Sequence, residues 1–156
     1  MKIYLATDHA GFEMKELLLE FLVGEGHEVE DCGAYTLNNN DDYPEILSPA
    51  IYALAEDLAR GEDAKGIILG GSGQGEAMLA NMFPLVRATA YYGGEKEIII
   101  LSRRHNNANV LSLGARFIDI EEAKTAILLW LNTEFSEDER HKRRIAEMQK
   151  IRTMNL

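Results

Sequence analysis

The chain has 156 residues and a mass of 17.5 kDa, with 46% hydrophobic and 27% charged residues, one cysteine and three prolines. That is the size of one ordinary domain with enough apolar residue to bury a core without disulfides, and the composition gives no support to disorder. A formal net charge of -10 opposes binding to nucleic acid or an anionic membrane, and no apolar run approaches the ~20 residues of a bilayer span. The lone Cys32 and a start without a leader-like stretch predict a reducing, cytoplasmic setting.

Residues 2–7 (KIYLAT) read as a short strand that stops at Asp8, His9, Ala10 and Gly11, and residues 12–23 have helical spacing. Gly24 and Gly26 supply the stop and turn before a second strand at 27–32. The loop at 33–43 is rich in Asn and Asp and long enough to carry function. Pro44 suits the first turn of a helix running to about Arg60, in which Ile46, Leu47, Ile51, Leu54, Ala55 and Leu58 recur at three and four residues. Residues 65–69 (KGIIL) give a buried strand, GGSGQG a tight turn, and 76–82 the start of another helix. A strand at 86–91, a helix at 95–104, a strand at 110–113 and helices at 121–131 and 137–152 complete the chain.

This alternation predicts an α/β fold, a three-layer α/β/α sandwich on a Rossmann-like parallel sheet of about five strands, with residues 1–156 forming a single domain. Open parallel sheets bind ligands outside the carboxyl ends of their strands. Three polar clusters are expected there: Asp8 with His9, the loop at 70–76 (GGSGQGE), and His105, Asn106 and Asn107 before the last strand. Together they predict one pocket.

Glycines at 70, 71, 73 and 75 let backbone N–H groups converge at a helix N-terminus, which suits an oxyanion; a plain strand-to-helix turn would need fewer. Known loop patterns fail at single residues. There is no G-x-x-x-x-G-K-[ST], Glu76 stands where G-x-G-x-x-G needs its last glycine, and Gln74 stands where G-x-S-x-G needs its second. Ser72 is therefore a hydrogen-bond donor and not a nucleophile. Glu76 has two readings, a complement to the helix dipole or a base beside an oxyanion cradle. Asp8 and His9 read as helix caps or ligand contacts, and His105 as a cap or an acid. Arg140 and Arg144 share a helical face that suits a phosphate, although a solvated basic face would look the same.

The segments TDHAGFEMK, DDYPE at 41–45, GGSGQGEAMLAN at 70–81, SRRHNNANVLSLGAR at 102–116 and RHKRR at 140–144 resemble the ribose-5-phosphate isomerase B family, which includes galactose-6-phosphate and allose-6-phosphate isomerases. The resemblance implies an aldose-ketose isomerase, with ribose 5-phosphate converting to ribulose 5-phosphate and six-carbon aldose 6-phosphates as the alternative. Members use either a cysteine in the glycine loop or a glutamate after it. The cysteine position corresponds to Gly71 on this reading, so Glu76 is the implied base and Cys32 lies outside the motif.

By the same resemblance Asp8, His9 and Tyr43 contact substrate. The backbone of Gly71, Ser72, Gly73, Gln74 and Gly75 forms the anion hole, with Ser72 assisting catalysis. His105 assists ring opening, and Asn106 binds a sugar hydroxyl or the enediolate. Arg116, Arg140 and Arg144 hold the phosphate, and the C-terminal helix carries its arginines toward a neighbouring subunit in a homodimer or dimer of dimers. No metal or cofactor is implied. The segment 91–101 (YYGGEKEIIIL) departs from the small residues typical of the family there. Two readings of other kinds compete: a phosphate- or nucleotide-binding module without turnover, and a metal-dependent isomerase using Asp8, His9 and His105.

Overall fold

The computed structural model describes residues 1–153. Five strands, β1 (Lys2–Thr7), β2 (Glu28–Asp31), β3 (Ala64–Gly70), β4 (Ala88–Tyr91) and β5 (Val110–Gly114), pair in parallel in the order β2-β1-β3-β5-β4. Helices α1 (Phe12–Gly24), α2 (Tyr43–Ala59), α3 (Gln74–Ala80), α4 (Glu97–Asn106), α5 (Ile120–Leu131) and α6 (Glu139–Thr153) connect or follow them.

Strand alternation builds two cores. Ile3, Leu5, Ile67, Leu69, Leu111 and Leu113 point to the face covered with Leu18 and Leu22 of α1, Ile99 of α4 and Trp130 of α5. Tyr4, Ala6, Ile68 and Val110 point the other way, against Leu47, Ile51 and Leu54 of α2 and Ala80 of α3. Both faces are covered, which is why β3 and β5 read as near-continuous apolar runs.

Element ends moved where side chains intervene. β4 begins at Ala88 and not at Val86, because Asn109 Oδ1 accepts the Arg87 N–H (2.8 Å) and Leu85 adopts a positive φ of 62°. Similarly, α6 begins two residues late because Glu137 takes φ 62°.

The sheet order places its switch point between β1 and β3, since the chain leaves β1 toward β2 on one side and β3 lies on the other. A short 3-10 turn at His9–Gly11 follows β1. A Cβ at Gly11 would stand 2.7 Å from the Leu69 side chain, so glycine there lets the turn close onto the end of β3. Asp8 and His9 are thereby brought beside the glycine loop.

Candidate active site

Loop 70–75 is fastened from beneath. Ala115 and Arg116 donate backbone N–H groups to the Gly70 and Gly71 carbonyls (2.9 and 3.2 Å), and the buried Ser112 hydroxyl donates to the Gly73 carbonyl (2.6 Å). Gly73 takes φ 74° at the start of α3, and a Cβ there would meet the Leu113 backbone at 2.9 Å. The loop thus needs glycine at 73 for conformation and for space. Ser72 Oγ accepts the Gln74 N–H (3.3 Å), a local turn bond that leaves its hydroxyl hydrogen available for the donor role read from the sequence.

Glu76 occupies the first turn of α3 but is only 5% exposed, so it is more than a solvated dipole partner. Its carboxylate lies against Gly70, where an added Cβ would overlap it. Burial pushes the Glu76 carboxyl above the usual glutamate range; its own backbone N–H opposes the rise, and the negative charge of Asp8 adds to it. A carboxylate moved toward neutrality is suited to take and return a proton.

The other predicted contacts at this end gather around it. Asp8, itself buried, caps the 3-10 turn by accepting the Ala10 N–H (2.9 Å). The capping role and the effect on Glu76 are compatible, because the cap is one hydrogen bond to Oδ1 while the negative charge acts on Glu76 through space. Tyr43, the first residue of α2, sets its hydroxyl 3.0 Å from where a Cβ of Gly75 would stand. Arg116 approaches Gly71 from the end of β5, at 3.4 Å from the corresponding Cβ place. His9 and Arg116 line a cleft of about 460 Å³ together with Glu13, Asn39 and Ile120, within the range of small-ligand sites.

His105 and Asn106 are elsewhere. They end α4, which leads into the start of β5, and the Arg87 guanidinium at the start of β4 donates to the Asn106 carbonyl (3.1 Å). They therefore stand at the amino ends of the strands, and β5 alone puts roughly 13 Å between them and the glycine loop. The expectation of one pocket from three clusters fails within a single chain, because a helix between two parallel strands returns the chain to the amino end of the sheet.

The C-terminal arginines share that opposite end. The His105 ring stacks on His141 of α6, with centroids 4.3 Å apart and planes 12° from parallel. Burial, then the His105 ring and Arg140, hold His141 below the usual histidine range. Arg140 and Arg144, on the same helix, are exposed. In sequence His141 is one member of the basic run at 140–144; its burial depends on α6 folding back on α4, which no local pattern announces.

Asp41 also went unassigned. Its Oδ1 contacts His9 Nδ1 at 2.5 Å, and Asp8, His9 and Asp41 bring possible metal-ligand atoms within 4.8 Å of one another. A metal set of Asp8, His9 and His105 is not assembled in one chain, since His105 lies at the far end of the sheet. No helix among the described residues is long and apolar enough to cross a membrane.

Fold and site together define an α/β enzyme with a buried carboxylate beside a glycine loop at the carboxyl end of its sheet. The family model for ribose/galactose isomerase matches residues 3–148, and the chain belongs to that family. It is 38% identical to ribose-5-phosphate isomerase B of Mycolicibacterium paratuberculosis, over 93% of this chain and 87% of the relative. Identity to ribose-5-phosphate isomerase B of Escherichia coli is 36%, over 92% and 91%. Among solved structures, ribose-5-phosphate isomerase B of Mycoplasma genitalium with bound ribulose-5-phosphate superposes with a TM-score of 0.87 at 30% identity, covering 99% and 97% of the two chains. The Thermotoga maritima ribose 5-phosphate isomerase gives 0.84 at 37% identity, covering 96% and 97%.

Proposed function

We propose that this chain interconverts ribose 5-phosphate and ribulose 5-phosphate, with Glu76 carrying the proton between C2 and C1. The observation that carries this reading is the buried Glu76 carboxylate against Gly70 at the switch point of the sheet, held above its ordinary pKa. Glu76 removes the C2 proton of the open-chain aldose, and the backbone of Gly71, Ser72, Gly73, Gln74 and Gly75 steadies the enediolate. The proton of O2 passes to O1, and the same carboxylate returns the carbon-bound proton to C1, leaving the carbonyl at C2.

Geometry favours Gly70 over Gly71 as the site equivalent to the family's cysteine. A side chain at 70 enters the place of the Glu76 carboxylate, whereas one at 71 faces Arg116. A thiolate at 70 and a carboxylate at 76 would be two ways of filling one spot.

The catalytic unit in this reading is a homodimer, alone or paired into a tetramer. Asp8, His9, Tyr43, Glu76 and Arg116 stand at the carboxyl end of one sheet, while His105, Asn106, Arg140 and Arg144 stand at the amino end. A second copy must bring the latter set to the former. His105 then donates a proton to the ring oxygen while Asp8 helps remove the hydroxyl proton, and Arg140 and Arg144 join Arg116 on the phosphate. The site so completed is cytoplasmic, where sugar phosphates are made and used. Neither nucleic acid nor membrane takes part.

The test is an isomerisation assay of the purified protein with ribose 5-phosphate, allose 6-phosphate and galactose 6-phosphate in the presence of chelator. Turnover of the pentose phosphate, undiminished by chelator, is expected. Turnover restricted to a hexose phosphate reassigns the substrate, loss in chelator restores the metal reading, and inactivity on all three restores the binding module.

A further inference from the structure

One side chain of the Asn- and Asp-rich loop holds both the backbone and the ring of His9 in the cleft. Asp41 Oδ1 accepts from the His9 backbone N–H (3.2 Å) and contacts His9 Nδ1 at 2.5 Å. The Asp41 side chain is 7% exposed, although residues 35–40 just before it are all exposed. Its own backbone N–H donates to the Asn38 carbonyl (3.1 Å), closing the turn that turns it inward.

Three features distinguish this contact from ordinary loop packing. Both hydrogen bonds of the Asp41 side chain among the described residues go to His9, and neither caps α2, whose N-cap residue is Asp42. The second carboxylate oxygen, Oδ2, is buried without a partner, an unfavourable arrangement that a purely structural acid would avoid. Asp8 Oδ2 stands 3.9 Å from the same Nδ1, so two carboxylates face one nitrogen of the ring. A carboxylate only accepts, so the nitrogen it holds carries the hydrogen. Nε2 is left as the atom His9 can offer to the cleft it lines with Arg116.

Resting on the isomerase reading above, we infer that Asp41 is a positioning residue: it fixes His9 as the Nδ1–H tautomer and aims Nε2 at an oxygen of the bound sugar phosphate. A free histidine side chain in water prefers its hydrogen on Nε2, so Asp41 reverses the intrinsic choice, as acceptors behind a functional histidine do. Asp41 itself touches no substrate. Its effect reaches the reaction through His9, and the loop at 33–42 thereby acquires a role in binding.

Two measurements test this. Nitrogen-15 NMR of the substrate-free wild-type protein should show the neutral His9 ring protonated at Nδ1, and Asp41→Ala should move the hydrogen to Nε2. In kinetics, Asp41→Ala should raise KM for ribose 5-phosphate about tenfold, the usual scale for losing a charge-assisted bond, with kcat changed little. Asp41→Asn, which keeps an acceptor oxygen, should recover most of the loss. In a His9→Ala background Asp41→Ala should have no further effect. A wild-type ring protonated at Nε2, or effects of the two substitutions that add independently, overturns the inference. The NMR arm needs no substrate and is read on unsubstituted protein, so it decides the question even if the wild type turns over no pentose phosphate, an outcome that would instead sink the isomerase reading.

Discussion

The carboxylate of Glu76 lies so close to Gly70 that a methyl group on residue 70 would overlap it. The end of β3 and the first turn of α3 therefore meet at one point, and the only residue that leaves room for the acid there is glycine. Gly70→Ala displaces the flexible end of a side chain and not backbone, so its melting temperature should stay within a few degrees of the parent. Its kcat/KM should nevertheless fall by about 10²-fold, the scale on which a misplaced general base is felt. A variant that keeps full activity would show that the carboxylate does not work from this position.

Glu76→Gln preserves shape and removes the proposed base. Exchange of the C2 proton with solvent, followed by deuterium incorporation, should drop by about 10²- to 10⁴-fold with the fold intact. Retained exchange would remove Glu76 from the mechanism.

The same residue makes stability depend on pH. The folded chain raises the Glu76 pKa above the ordinary 4.5, chiefly by burial, so the native state holds that proton more tightly than the unfolded chain does. Its contribution to stability is fully present below pH 4.5 and is lost as pH rises through the raised value. Glu76→Gln should therefore melt higher than wild type at pH 7, with the difference vanishing below pH 4.5, and the acid limb of wild-type kcat/KM should lie above 4.5. Thermal melts and rate profiles across pH 4 to 8 check both.

Placement of His105 and Glu76 at opposite ends of one sheet predicts complementation. Glu76→Gln and His105→Asn should each be nearly inactive alone. Mixed after dissociation and reassociation at equal amounts, they should recover about a quarter of wild-type activity, because half the dimers are mixed and each has one intact site. No recovery, with subunit exchange verified by mass, would place both residues' work within one chain.

Lys15 of α1 is fully buried, and its ammonium contacts both oxygens of Asp31 at the end of β2 (2.8 and 2.7 Å), while Asp31 also accepts the Gly33 N–H (3.0 Å). Asp31→Ala leaves that cation poorly compensated and releases the start of the loop that ends at Asp41. We expect a loss of about 3 kcal/mol in chemical denaturation, which for a chain of this size is a fall of about 10 °C in melting temperature. A change under 1 kcal/mol would mean that Glu16, 2.8 Å from the same ammonium, suffices.

Much of this molecule was legible in its residues. Apolar runs, helical spacing and glycine stops placed all five strands and six helices, because those signals are local. The glycine loop with Glu76 was readable for the same reason: strand, turn, helix and acid are contiguous, so spacing alone carries their geometry. Spacing also hid things. Asp41 lies 32 residues from His9 and became its partner only when the 3-10 turn and a distant loop met over the switch point. The positions of residues 70 and 71 look interchangeable in sequence, but the direction of each Cα–Cβ bond separates a place beside Glu76 from one beside Arg116. His105 looked like a member of the Glu76 pocket because it precedes a strand. Strand direction, a property of the assembled parallel sheet, put it at the other end. By itself the sequence determined which elements form and where the acid of the glycine loop lies; the tertiary structure decided which side chains face one another, because contact across a sheet depends on strand order and direction, and neither is encoded locally.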